Sequence, residues 1–123
     1  TRTPTPAPPP IIELDLEDTR LHPGESFHLR VAVTGHTNMD EKLPLVVMIE
    51  LNGTYFFYPT WNTDFSYENV NVYKHKRWFE ILDFIWPDTG TTSTDNYVYA
   101  ALLTFDHQGI YSNVDQVSFG WDG

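Results

Sequence analysis

Leu45-Val46-Val47-Met48-Ile49-Glu50-Leu51-Asn52-Gly53-Thr54-Tyr55-Phe56-Phe57-Tyr58-Pro59 joins two β-rich runs through an Asn-Gly pair. Asn and Gly best tolerate the positive φ angles of a two-residue type I′ turn, and that turn matches the twist of paired strands. The stretch predicts a hairpin and makes the chain all-β. Leu45, Val47, Ile49 and Leu51 fall on one face of its first strand. Pro59 ends the second strand, because proline has no amide to give a ladder.

The same alternation extends outward. Upstream, Ile12, Leu14 and Leu16 alternate with Glu13, Asp15 and Glu17, a half-buried strand with an acidic outer face. His22-Pro23-Gly24-Glu25 marks a turn, after which Phe27, Leu29, Val31 and Val33 share one side. Downstream, residues 60 to 77 have no clear period and are expected to form a long aromatic-polar loop, with a short strand around Val70 and Val72. Trp78 to Trp86 is the next strand, with Leu82, Phe84 and Trp86 inward and Ile81 and Ile85 left awkwardly outward beside Asp83. Asp88 to Asn96 is read as a turn. Tyr97 to Phe105 and Val114 to Trp121 follow as strands, the last with Val117, Phe119 and Trp121 on one face. Seven or eight short strands separated by turn residues predict an antiparallel, Ig-like β-sandwich with Greek-key connections.

Size and composition agree. A chain of 123 residues is one domain with enough interior for a core. The absence of Cys excludes disulfides, thiol nucleophiles and zinc ribbons. Aromatic residues make up 15% of the chain, a content that suits pleated surfaces. A net charge of −10 repels phosphate backbones and anionic lipid, which argues against nucleic-acid or membrane binding. No apolar run is long enough to cross a bilayer as a helix. The chain opens at Thr1 without an initiator Met or a leader segment, as a processed protein or an excised fragment would.

Residues 1–10 form a Pro/Thr-rich arm ahead of a domain spanning 11–123, and they hold five of the nine prolines. Such a segment is extended and semi-rigid, fit for a linker or a docking arm. Thr3 and Thr5 are candidate O-glycosylation sites, and Asn52-Gly53-Thr54 is an N-glycosylation sequon at the hairpin tip. Pro8, Pro9 and Pro10 are candidate assembly contacts. So are Lys74, Lys76 and Arg77, a basic cluster that suits the acidic Glu13–Asp18 edge of another copy.

The chain resembles the Ig-like and fibronectin-III-like accessory domains found near the C-termini of large secreted or cell-surface bacterial proteins. The likeness lies in the Pro-rich lead-in, the strand entry Leu21-His22-Pro23-Gly24-Glu25-Ser26-Phe27 and the run Tyr55 to Pro59. It extends to Ile81-Leu82-Asp83-Phe84-Ile85-Trp86-Pro87 and Val117-Ser118-Phe119-Gly120-Trp121. The resemblance implies a spacer, adhesive or assembly role outside the cell, in contact with other copies or with neighbouring domains of a larger protein.

No catalytic constellation stands out. Glu80 and Asp83 are three apart, so a regular strand sends them to opposite faces, and no Ser sits in a nucleophile elbow. The five His residues form no ligand pair. Asp88 and Asp95 flank an oxygen-rich stretch and are weak calcium candidates, without an EF-hand pattern. Trp61, Tyr67 and Trp78 are candidates for stacking on sugar rings. The expectation is therefore a non-catalytic extracellular structural or assembly module without a cofactor, and its competitor is a carbohydrate-binding module.

Overall fold

In a computed structural model the described residues are 9–38, 42–104 and 106–122. The Pro/Thr-rich calls at Thr3, Thr5 and Pro8 lie outside them. Nine strands run in order: β1 (Ile11–Leu16), β2 (Arg20–Leu21), β3 (Ser26–Thr34), β4 (Lys42–Leu51), β5 (Thr54–Phe57), β6 (Glu68–Asn71), β7 (Arg77–Ile85), β8 (Ser93–Leu102) and β9 (Asp115–Trp121). A three-stranded sheet has the order β1-β3-β7, and a six-stranded sheet the order β2-β9-β8-β4-β5, with β6 also on β4. The fold is all-β, with one antiparallel and one mixed sheet. The mixed character comes from β2, which pairs parallel to β9. Arg20 holds this end with two bonds from its guanidinium to Asp122, which keep the Asp122 carboxyl below its ordinary value.

The opening hairpin forms as expected. Leu51 faces Thr54 across Asn52 and Gly53, whose φ angles are +50° and +86°. The core is built by period-two burial. Phe27, Leu29, Val31 and Val33 of β3 face Leu43, Leu45, Val47 and Ile49 of β4, with Val98, Ala100 and Leu102 of β8 beside them. Asn96 continues the inward row of β8 and is fully buried. It accepts the Asn52 amide on Oδ1 and donates Nδ2–H to Ser93 Oγ and the Phe119 carbonyl, so its burial leaves no polar group idle.

Three features depart from the sequence reading. First, β8 begins at Ser93, inside the stretch read as a turn. Gly120 makes this possible: the β8–β9 register shifts between Ser93 and Asn96, and a Cβ at Gly120 would lie 2.6 Å from the Ser93 carbonyl oxygen. Second, the short strand expected around Val70 and Val72 does form, as β6, but it spans Glu68–Asn71 and so stops short of Val72; it is laid on β4 beyond the end of β5. Third, the β3–β7 register shifts so that Leu29 faces Leu82 while the next residue, Arg30, faces Glu80. This bulge gives Ile81 no direct partner and turns it into the core, which removes the expected awkward exposure there, while Ile85 stays outward and exposed as expected. It also resets the phase, so Glu80 and Asp83 lie opposite the outward residues Arg30 and His28 on one face, not on two.

The two edges of the small sheet are treated differently. The outer edge of β1 is closed by side chains. Ile12 N–H donates to Asn113 Oδ1 and Leu14 N–H to Asp115 Oδ2, and Asn113 Nδ2 donates back to the Ile12 carbonyl. Such capping blocks edge-to-edge pairing. Among the described residues nothing pairs with the outer edge of β7.

Candidate functional site

An apolar cleft of about 250 Å³ lies at the β7 side of the molecule. Leu82 and Phe84 of β7 form one wall, Leu51 of β4 and Phe56 of β5 the other, with Trp61 at the rim and Trp86 and Phe119 at the floor. The alternation of β7 after its bulge points Leu82 and Phe84 inward. The β4–β5 hairpin brings Phe56 to the facing edge. Phe84 stays 39% exposed at the β7 edge, which no strand among the described residues pairs with, and Ile85, opposite Ser26 on the outer face, is 62% exposed. The floor is an aromatic cluster in which the Phe27 ring centroid lies 5.3 to 5.6 Å from those of Phe84, Trp86 and Phe119. Trp86 is fixed to the Pro23-Gly24 turn by Gly24 N–H to its carbonyl and by its own N–H to the Glu25 carbonyl. Its buried indole Nε1 has no acceptor among the described residues.

Trp61 has a φ of +56°, which is unusual for a bulky side chain. Its N–H bonds the Phe57 carbonyl, and Phe57 N–H bonds the Asn62 carbonyl, so a tight local turn sets the ring against Tyr58 at 5.8 Å. Tyr58 in turn donates its hydroxyl to Glu68. Burial first and the Glu68 carboxylate second push its phenol up to about 12.

The structure separates the three candidate sugar-stacking rings. Trp61 lines the cleft. Tyr67 is half-buried, edge-on to His107 at 4.6 Å, with Phe65 on its other side. Trp78 stands on the outer face of the small sheet with the Arg30 guanidinium 4.4 Å from its ring and Lys76 5.6 Å away. These rings form no common platform, and a cation already occupies a face of Trp78.

The basic cluster is also engaged within the chain. Lys76 bonds Glu13 at 3.0 Å, and Arg77 lies over Tyr73 at 4.6 Å. Lys74 donates its backbone amide to Asn38. Pro10 is buried in the domain body and Pro9 is exposed. Asp88 accepts the Gly90 amide in a local turn, and Asp95 lies within β8, so the two calcium candidates sit on different elements. Among the described residues no group of three His, Asp or Glu side chains converges. Asn52 accepts from Ser93 Oγ on Oδ1 at the exposed hairpin tip.

Sequence reasoning passed over a charged array on the small sheet. His28 Nε2 lies 2.5 Å from Glu80, and its Nδ1 lies 3.6 Å from Glu17. The Glu80 hydrogen bond and the negative charges of Glu80 and Asp83 hold this imidazole above its ordinary value, against desolvation and Arg30. The bulge in β7 assembles this array, and a regular strand period hides it. The favourable pairing is fully present below the usual imidazole value, about 6.5. It is lost as pH rises through the higher folded value. An NMR titration of His28 is expected to show the raised midpoint, and Glu80→Gln to lower it. An unchanged midpoint in the variant contradicts the assignment.

The chain falls in the class of small all-β domains built from two packed sheets. No family model matches it, and no curated protein does. Among solved structures it is similar to Spo0M, a sporulation control protein from Bacillus subtilis, at 16% identity and a TM-score of 0.52. That match covers 94% of this chain and 50% of Spo0M, so the chain spans half the length of that neighbour. A β-glucosidase from Listeria innocua in complex with glucose matches at 14% identity and a TM-score of 0.47, over 93% of this chain and 16% of the enzyme. The first likeness is one of fold.

Proposed function

We propose that this domain is a non-catalytic, Ig-like assembly module of an extracellular or cell-surface protein, which associates with further copies through its β7 side. The single observation that carries the reading is a nine-residue strand whose outer edge pairs with nothing among the described residues, beside an open aromatic cleft. An exposed strand edge is a template for another chain, and exposed aromatic surface gains about 25 cal/mol per Å² when covered. The closed edge of β1 strengthens the argument, because the same sheet blocks one side and leaves the other available. The Ig-like, Greek-key assignment draws support from the strand order, in which β3 to β4 and β7 to β8 both cross between sheets.

Sedimentation velocity over a micromolar-to-millimolar range tests the reading. The chain is expected to associate, and Ile85→Lys on the outer face of β7 with Phe56→Lys on the cleft wall to keep it monomeric with an unchanged β circular dichroism spectrum. A chain that stays monomeric throughout, or a variant that associates as before, contradicts it.

A further inference from the structure

We propose that the β7 edge and its cleft receive residues Thr3 to Pro8 of a second copy of this chain, laid down as an added strand. This rests on the assembly reading and names the segment that performs it.

The first argument is the phase of the prolines. Pro4, Pro6 and Pro8 alternate with Thr3, Thr5 and Ala7. An added edge strand bonds its neighbour through the N–H and C=O of every second residue, so proline in the other phase costs no ladder bond. Thr3, Thr5 and Ala7 keep the amides that β7 needs. The donors missing at Pro4, Pro6 and Pro8 would face solvent. Side chains follow the same alternation. Three proline rings share one face and meet the Phe56, Trp61, Leu82 and Phe84 walls, as the alternate side chains of an added strand do in strand-addition pockets. The threonines share the other face with the polar Glu80 and Asp83. Pro9 falls in the bonding phase without an amide, so the added strand ends at Pro8, just before the buried Pro10 of its own body.

The second argument is reach. The chain's own segment leaves the body ahead of Ile11, which pairs with Thr34, and the adjacent Val33 pairs with Arg77. Phe84 pairs with Phe27, six residues from Val33 along β3 and about 20 Å away, and a strand added outside β7 lies three strand spacings from β1, about 14 Å to the side. The straight path is roughly 25 Å, whereas Thr1 to Pro8 extends to at most about 28 Å. A segment that spends its length reaching the cleft cannot also lie along it, so the occupant comes from another copy. Charge permits this: Arg2 is the only charged side chain in residues 1–10, while the whole chain carries −10. A proline-rich donor also starts extended and loses little conformational entropy on docking.

Association of the full chain, compared between two pairs of substitutions, tests the proposal. Thr3→Pro with Thr5→Pro removes two bonding amides and is expected to weaken association at least about tenfold. Pro4→Ala with Pro6→Ala keeps every amide and is expected to weaken it less. A synthetic peptide of residues 1–10 is expected to dissolve the assemblies and to shift the amide resonances of Leu82 to Ile85. Equal effects of the two pairs overturn the proposal. So do peptide shifts confined to Val46, Ile110 and Val114, which line a separate depression that β7 does not border. Association that responds to Ile85→Lys but to neither pair nor peptide removes the donor segment and leaves the assembly reading standing. A full chain that is monomeric at millimolar concentration removes both.

Discussion

Phe27→Ala is expected to lower the stability of the domain by about 3–5 kcal/mol, the usual loss for a buried phenylalanine. Phe27 is 2% exposed and its ring touches Phe84, Trp86 and Phe119 at once. It therefore joins the wall and floor of the cleft, and a cavity in its place merges with space already open to solvent. At roughly 3–5 °C per kcal/mol for a chain of this length, the melting temperature should fall by about 10–20 °C. Differential scanning calorimetry reads this directly. A fall of only a few degrees would mean that the aromatic cluster is not the structural centre of that end of the sandwich. Most small domains have about 5–15 kcal/mol to lose, so the variant remains foldable for comparison at low temperature.

Gly120→Ala is the second large effect, through a different cause. The added Cβ would sit 2.6 Å from the Ser93 carbonyl oxygen and 3.2 Å from the Thr94 Cα. Both atoms are backbone, so no side chain can swing away. Either β8 and β9 separate at the register shift or the ladder slips. A loss of about 1–3 kcal/mol is expected, as for overpacked sites. Chemical denaturation should show the midpoint falling while the slope stays constant. A matching Ala at Gly53 meets nothing within 4 Å, but it carries the strain of a φ of +86°, so it separates backbone strain from crowding. If Gly120→Ala leaves the midpoint in place, the close approach of Ser93 to β9 is wrong.

The sequence shows the regular parts of this fold because they follow a two-residue period. Asn52-Gly53, the alternation from Phe27 to Val33, and Val117-Phe119-Trp121 each carry local chemistry that a neighbour cannot overrule. Three parts were hidden for physical reasons. Two residues of β2 are too few to show a period. The bulge at Ile81 breaks a period that reading along the strand assumes unbroken. The start of β8 depends on Gly120, 27 positions away from Ser93, where the missing Cβ matters only once the sheet is formed. The candidate site was less legible still. The sequence presents Trp61 as an exposed ring for a sugar, yet its place at the cleft rim follows from a left-handed backbone turn. The alternation points Phe84 toward the core, and the structure does hold it inward, opposite Phe27. What the pattern omits is the strand that would cover it. An open edge is a property of pairing, and pairing is not written into any one segment.

Hydrogen exchange along Arg77 to Ile85, compared between the dilute monomer and the associated state, tests the central claim most directly. The account predicts fast exchange of the outward amides of β7 in the monomer and clear protection on association. Ile12 and Leu14, already bonded to Asn113 and Asp115, should change little. Association that leaves residues 77–85 as exposed as before would contradict the claim that copies meet at this edge.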